Sequence, residues 1–153
     1  MKTILIAADH AGFSLKAVLT LYLKKQGFKV EDLGTYAKRR CDYPIFAAKL
    51  AGAVSQGHYQ RGILICKTGI GNSIVANRFP GVRAALCYNP QAAALSRQHN
   101  DSNILVLGAG FVNQKLAKRI TKTWLDTAFM GGRHKRRLEQ IKTMERKIWC
   151  HQR

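Results

Sequence analysis

Five short apolar runs, each followed by a stretch with helical spacing, constrain this chain more than anything else in it. The runs are Thr3–Ala8, Lys29–Leu33, Gly62–Cys66, Arg83–Cys87 and Asn103–Leu107. The first helix is expected over Ala11–Gln26, where Val18, Leu19, Tyr22 and Leu23 form an apolar stripe and Gly27 stops it. The second starts after Pro44 and runs through Ala47, Ala48, Ala51 and Val54 to Gly57. The third opens in the loop holding Gly69 and Gly71 and ends near Phe79-Pro80-Gly81. Asn89-Pro90 introduces the fourth, which reaches about Gln98. The fifth spans Asn113–Phe129, and Gly131-Gly132 separates it from a last helix running from His134 to about Cys150. Regularly alternating strands and helices predict an α/β fold: one parallel sheet with helices on both faces. At 153 residues the chain is expected to form a single domain, residues 1–153, with a core that needs no disulfide or metal.

In such sheets ligands sit beyond the carboxyl ends of the strands. Two polar groups fall there. Asp9-His10 follows the first strand, and Cys66-Lys67-Thr68-Gly69-Ile70-Gly71-Asn72-Ser73 follows the third. In the second group a strand delivers a thiol and a tight turn then opens a helix. Backbone N–H groups and the positive end of a helix dipole converge beside the sulfur. That spot suits an anion, or an oxygen that becomes negative during reaction, and it favours an ionised sulfur at Cys66. His99-Asn100-Asp101 differs, because it precedes the fifth strand and so lies at the other end of the sheet. A homodimer would bring it in from a neighbouring copy.

Singly, each motif has a plainer reading. Cys66 suits a core position at a strand end, Asp9 suits a helix cap, and His99 suits a helix terminus. A dinucleotide fingerprint is excluded because its third glycine position holds Ile74, and no Gly-Lys-Ser/Thr completes a phosphate loop. The four cysteines are Cys41, Cys66, Cys87 and Cys150, without any C-x-x-C. Zinc knuckles and thioredoxin-type pairs are therefore not expected, and free thiols in a reducing cytoplasm are. No run approaches the roughly 18 apolar residues that cross a membrane, and Met1–Ala8 meets Asp9 too early for a signal peptide. The balance of 26 Lys and Arg against 8 Asp and Glu, net +18, attracts polyanions without regard to sequence. No nucleic-acid module accompanies it, so a nucleic-acid partner is not expected.

Together the motifs resemble one family. Asp9-His10-Ala11-Gly12-Phe13, Cys66–Gly71, Ala76-Asn77-Arg78, Leu95–Asp101 and Gly131-Gly132-Arg133-His134 with Arg137 look like the type B ribose-5-phosphate isomerases, in register from Met1 to about Glu145. That family includes galactose- and allose-phosphate isomerases. The resemblance implies a three-layer, Rossmann-like fold whose C-terminal helix packs on a partner subunit in a homodimer or tetramer with shared sites. It implies interconversion of ribose 5-phosphate and ribulose 5-phosphate through an enediolate, with no metal or cofactor. By the same likeness Cys66 is the base that moves the proton, and His99 from the partner assists ring opening. Thr68 and Asp9 lie near the sugar hydroxyls, and Asn100 and Tyr43 line the sugar. His10, Arg133 and Arg137 hold the phosphate, and amides from Lys67, Gly69, Ile70, Gly71 and Asn72 cradle the oxyanion. Two departures stand out: relatives with this cysteine usually have glycine at Lys67, and many have arginine at Gly110. If the backbone at Lys67 requires positive φ, lysine there is strained. A six-carbon aldose phosphate is the alternative substrate, and a degenerate member binding polyanions is the alternative function.

Overall fold

The computed structural model describes residues 2–150. Eleven elements follow one another: β1 (Thr3–Ala8), α1 (Phe13–Lys25), β2 (Lys29–Asp32), α2 (Tyr43–Ser55), β3 (Gly62–Cys66), α3 (Ile70–Ala76), β4 (Ala84–Leu86), α4 (Pro90–Asn100), β5 (Ile104–Gly108), α5 (Gln114–Asp126) and α6 (Arg133–Cys150). The strands form one parallel sheet in the order β2-β1-β3-β5-β4. Its core is split by the two-residue alternation of strands. Ile4, Ile6, Ile63, Ile65, Leu105 and Leu107 meet Leu15, Leu19, Leu23, Ala117, Ile120 and Trp124 of α1 and α5 on one face. Leu5, Ala7, Leu64, Ile104 and Val106 meet Ala47, Leu50, Ala51 and Ala76 of α2 and α3 on the other. Both faces are dry, which is why β3 and β5 are apolar throughout.

The strand order fixes where a ligand goes. From β1 the chain crosses outward to β2, whereas from β3 it crosses toward β5 and β4. The helices following β1 and β3 therefore lie on opposite faces and leave a crevice between the carboxyl ends of those two neighbours.

The boundaries differ from the sequence expectations for local reasons. α1 starts at Phe13, not Ala11, because the Gly12 N–H is drawn back to the Asp9 side chain, 3.0 Å away. Its buried stripe is Leu15, Lys16, Leu19 and Leu23, while Val18 and Tyr22 are only half-buried. β4 begins at Ala84 because the Arg83 N–H is taken by the Asn103 side chain at 2.7 Å. α3 stops at Ala76, where the Asn77 side chain turns aside: its Oδ1 accepts from the Ala84 N–H at 2.8 Å and its Nδ2 donates to the Ala84 carbonyl at 2.9 Å. α4 runs on to Asn100, ending at Asp101 in a left-handed conformation, φ 45°. α5 ends at Asp126, with the Arg61 guanidinium on the Leu125 carbonyl at 3.0 Å, and α6 begins one residue earlier than expected, at Arg133.

Lys16 is the least expected member of the core. It is 2% exposed, and its ammonium donates to both Asp32 carboxylate oxygens, at 2.5 and 2.6 Å, and to the Thr35 carbonyl at 2.7 Å. Asp32 also accepts from the Gly34 N–H at 2.9 Å. The loop leaving β2 is thereby tied to α1 beside the crevice. Removing Asp32 leaves the buried ammonium with the Thr35 carbonyl alone, while water can enter at the vacated position, since the Asp32 side chain is 35% exposed. Asp32→Ala is expected to cost about 1–3 kcal/mol in urea unfolding, and Asp32→Ala with Lys16→Met less, because no buried ammonium is then left without its carboxylate.

Candidate active site

β3 carries Cys66 to the crevice, where the side chain is 4% exposed. Its Sγ accepts a hydrogen bond from the Gly69 N–H at 3.2 Å. The turn that allows this runs through Gly69 at φ +82°, where a side chain would be strained and would collide with Leu86. Thr68 Oγ1 accepts from the Ile70 N–H at 3.2 Å, and the first helical bond of α3 runs from the Ser73 N–H to the Gly69 carbonyl at 3.0 Å. The N–H groups of Gly71 and Asn72, in the first turn, are left to face outward. Asn72 is 1% exposed, and its Oδ1 has no partner among the described residues.

Neighbouring loops close on this turn. Tyr43, at the start of α2, lies against Gly71, where any Cβ would come 2.6 Å from the Tyr43 hydroxyl. Asp9 is buried with its carboxylate on the Gly12 N–H. The Nδ1 of His10 sits 3.2 Å from the Cys41 amide nitrogen and 3.1 Å from its carbonyl. Sequence reasoning missed Tyr88, whose hydroxyl donates to the Thr68 carbonyl at 2.7 Å and whose ring leans on Phe111 at 5.5 Å. Its signal was positional, since it lies two residues beyond β4, at the same sheet edge as Cys66. Cys87 is sealed in the core, and burial pushes its thiol up to about 11, against a small opposing effect of Ser96. Lys67 is not strained, because Asp101 is the one non-glycine residue with positive φ among those described.

The remaining predicted residues gather at the opposite edge. α4 returns against the strand direction, so His99 and Asn100 lie where β5 begins. β5 advances about 3.3 Å per residue, leaving roughly 13 Å of strand between the two edges. There His99 stacks on His134, with ring centroids 4.2 Å apart and planes 9° apart, at the start of the helix that carries Arg133 and Arg137. Within one chain, then, Cys66, Lys67, Thr68, Gly69, Ile70, Gly71, Asn72, Asp9, His10 and Tyr43 form one group, and His99, Asn100, Arg133 and Arg137 form another.

Fold and crevice together define a parallel α/β protein with a buried thiol at the sheet's switch point. The chain belongs to the Ribose/Galactose Isomerase family, whose model matches residues 4–141. That membership makes it an enzyme of the aldose–ketose isomerase class. It is 46% identical over 147 residues to ribose-5-phosphate isomerase B of Escherichia coli, covering 96% of this chain and 99% of the relative. It is 41% identical to the D-erythrulose-4-phosphate isomerase of Pectobacterium atrosepticum over 92% of this chain and 93% of the relative. The structure of Clostridium thermocellum ribose-5-phosphate isomerase B superposes with a TM-score of 0.93 at 48% identity, covering 95% of this chain and 99% of that one. The Mycoplasma genitalium enzyme with bound ribulose-5-phosphate gives 0.90 at 41%, covering 94% and 96%.

His134 is 5% exposed and its Nε2 lacks a partner among the described residues. Burial first, then the neighbouring His99, Arg133 and Arg137, lower its pKa below the ordinary value of 6.5. As pH falls, the unfolded ring takes up its proton before the folded one does, so His134 withdraws stability below about pH 6.5. The melting temperature is expected to drop between about pH 7.5 and about pH 5.5, and to drop less in His134→Phe, which keeps a flat ring against His99. Thermal unfolding of both proteins at the two pH values measures the difference.

Proposed function

We infer that this chain interconverts ribose 5-phosphate and ribulose 5-phosphate, with Cys66 as the proton-transfer base. The observation that carries this is the buried Cys66 sulfur, held by the Gly69 N–H at the switch point of the sheet. Aldose–ketose interconversion removes the C2 proton of the open-chain aldose, forms an enediolate and returns a proton to C1. The electron pair of the C–H bond moves into the enediolate and back, so no external oxidant or reductant is needed. Cys66 takes and returns the proton, and outward-facing N–H groups of the following turn stabilise the oxygen that gains charge. Thr68, Asp9 and Tyr43 line the sugar.

The second group of residues reaches the crevice in a homodimer, or a tetramer built from it. His99 then assists ring opening, Asn100 contacts the sugar, and Arg133 and Arg137 join His10 on the phosphate, where a guanidinium matches the oxygens in pairs. The surface of α6 supports this reading: Ile141, Met144, Ile148 and Trp149 are 41–58% exposed. Beneath that helix lies a groove of about 890 Å³ lined by Phe129, Met130, Leu138 and Trp149 and not by Cys66, which on this reading receives the partner chain. No helix among the described residues is long and apolar enough to cross a membrane, and the proposed location is the cytoplasm. The Pectobacterium relative, named for a four-carbon ketose phosphate, favours a second reading in which substrate length differs.

Coupled assays on ribose 5-phosphate, a four-carbon and a six-carbon aldose phosphate are expected to give the highest kcat/KM with ribose 5-phosphate. Cys66→Ala is expected to lower kcat by about 10²–10⁴-fold with little loss of stability. Full activity in that variant overturns the role of Cys66. Ile148→Asp with Trp149→Asp is expected to shift sedimentation toward the monomer and to remove activity, although both positions are remote from the thiol.

A further inference from the structure

We propose that Lys67 and Gly110 form one functional unit, in which the Lys67 ammonium recognises the phosphate of the substrate and Gly110 is the clearance its side chain requires. The proposal rests on the isomerase reading of the same crevice and goes beyond the backbone role of Lys67 in it.

The two residues meet in the structure. The Ala109 N–H donates to the Cys66 carbonyl and the Gly110 N–H to the Lys67 carbonyl, both at 2.8 Å, so the turn after β5 is stitched to the Cys66 loop. The Lys67 stem lies across that turn. A Cβ at position 110 would come 3.0 Å from Lys67 Cε, 3.2 Å from Cδ and 3.1 Å from the Lys67 carbonyl oxygen. Gly110 is not among the glycines with positive φ, so its backbone does not demand glycine. Space does. A side chain rooted at 110 would press on the lysine stem and on the Lys67 carbonyl, so the stem would have to give way to it.

What the arrangement delivers is charge. Lys67 is exposed, and no carboxylate pairs with its ammonium among the described residues. Asp9 is engaged by the Gly12 N–H and Asp32 by Lys16. The ammonium lies one bond beyond Cε on an exposed residue, whereas the neighbouring sulfur is buried. The lysine stem runs over the β5–α5 turn at Gly110. A phosphate monoester, extended from a sugar whose C1 and C2 lie at Cys66, presents two negative charges to that ammonium. A flexible point charge there binds substrate and transition state alike, so its effect belongs in affinity more than in turnover.

The test measures ribose 5-phosphate binding by calorimetry, inorganic phosphate as a second probe, and kcat and KM by coupled assay. Lys67→Met is expected to raise Kd and KM about five- to tenfold and to flatten their dependence on salt, with kcat falling less than twofold. Lys67→Arg retains the affinity. Gly110→Ala, which leaves the lysine in place but displaces its stem, raises KM in the same direction. The exchanged pair, Lys67→Gly with Gly110→Arg, binds more tightly than Lys67→Gly alone, since the vacated volume accepts the new chain. Parental Kd, KM and salt dependence in Lys67→Met overturn the proposal, as does a loss confined to kcat. The calorimetric arm separates the two readings: if the parent binds ribose 5-phosphate but does not turn it over, the isomerase assignment fails while the Lys67 comparison is still decided.

Discussion

Burial of a parallel sheet on both faces, with the chain winding away in two directions from β1 and β3, is the constraint on which the rest depends. Once Ile63 and Ile65 pack on one face and Leu64 on the other, the direction of β3 is fixed and its last residue has to emerge at the carboxyl edge. That residue is Cys66. The helices on either side diverge, so the thiol arrives in a crevice and not under a helix. Its placement costs nothing extra, because the same apolar burial that stabilises the sheet, about 1.5–3 kcal/mol for each large side chain, also aims the strand.

Much of this was legible in the sequence, and the failures have physical causes. Strand and helix existence followed from periodicity, because β1, β3 and β5 are buried almost throughout and the helices from α1 to α5 pack on the sheet or on one another. Boundaries slipped where side chains substitute for backbone: Asn103 takes the Arg83 N–H, and Asn77 takes both groups of Ala84. Such exchanges have no periodic signature. Lys16 was invisible for a similar reason, since only its tertiary partners Asp32 and Thr35 turn a lysine into a core residue. Strand order, too, is a property of crossovers that spacing alone does not encode.

The candidate site shows the same division. The turn from Cys66 to Asn72 could be read directly, because strand, glycine turn and helix start are contiguous. Tyr88 could not, as its hydroxyl reaches Thr68 across twenty positions of sequence. Lys67 is the most instructive case. Concern for its backbone proved unfounded, and what matters is the lateral path of its side chain over Gly110. Nothing in the local sequence links residues 67 and 110; the ladder between β3 and β5 does, by setting Cys66 opposite Gly108.

The outer margin of β4 carries a consequence for assembly. A terminal strand of three residues ordinarily offers its open hydrogen-bonding groups to any extended chain that comes near. Here the amide and carbonyl of Ala84, the first residue of that strand, are both satisfied by a single asparagine side chain. An incoming strand would have to evict Asn77 before it could form its first pair of bonds. Lateral growth of the sheet into a continuous ribbon is thereby opposed where β4 begins, by a side chain that stands at the end of the helix preceding it in the chain.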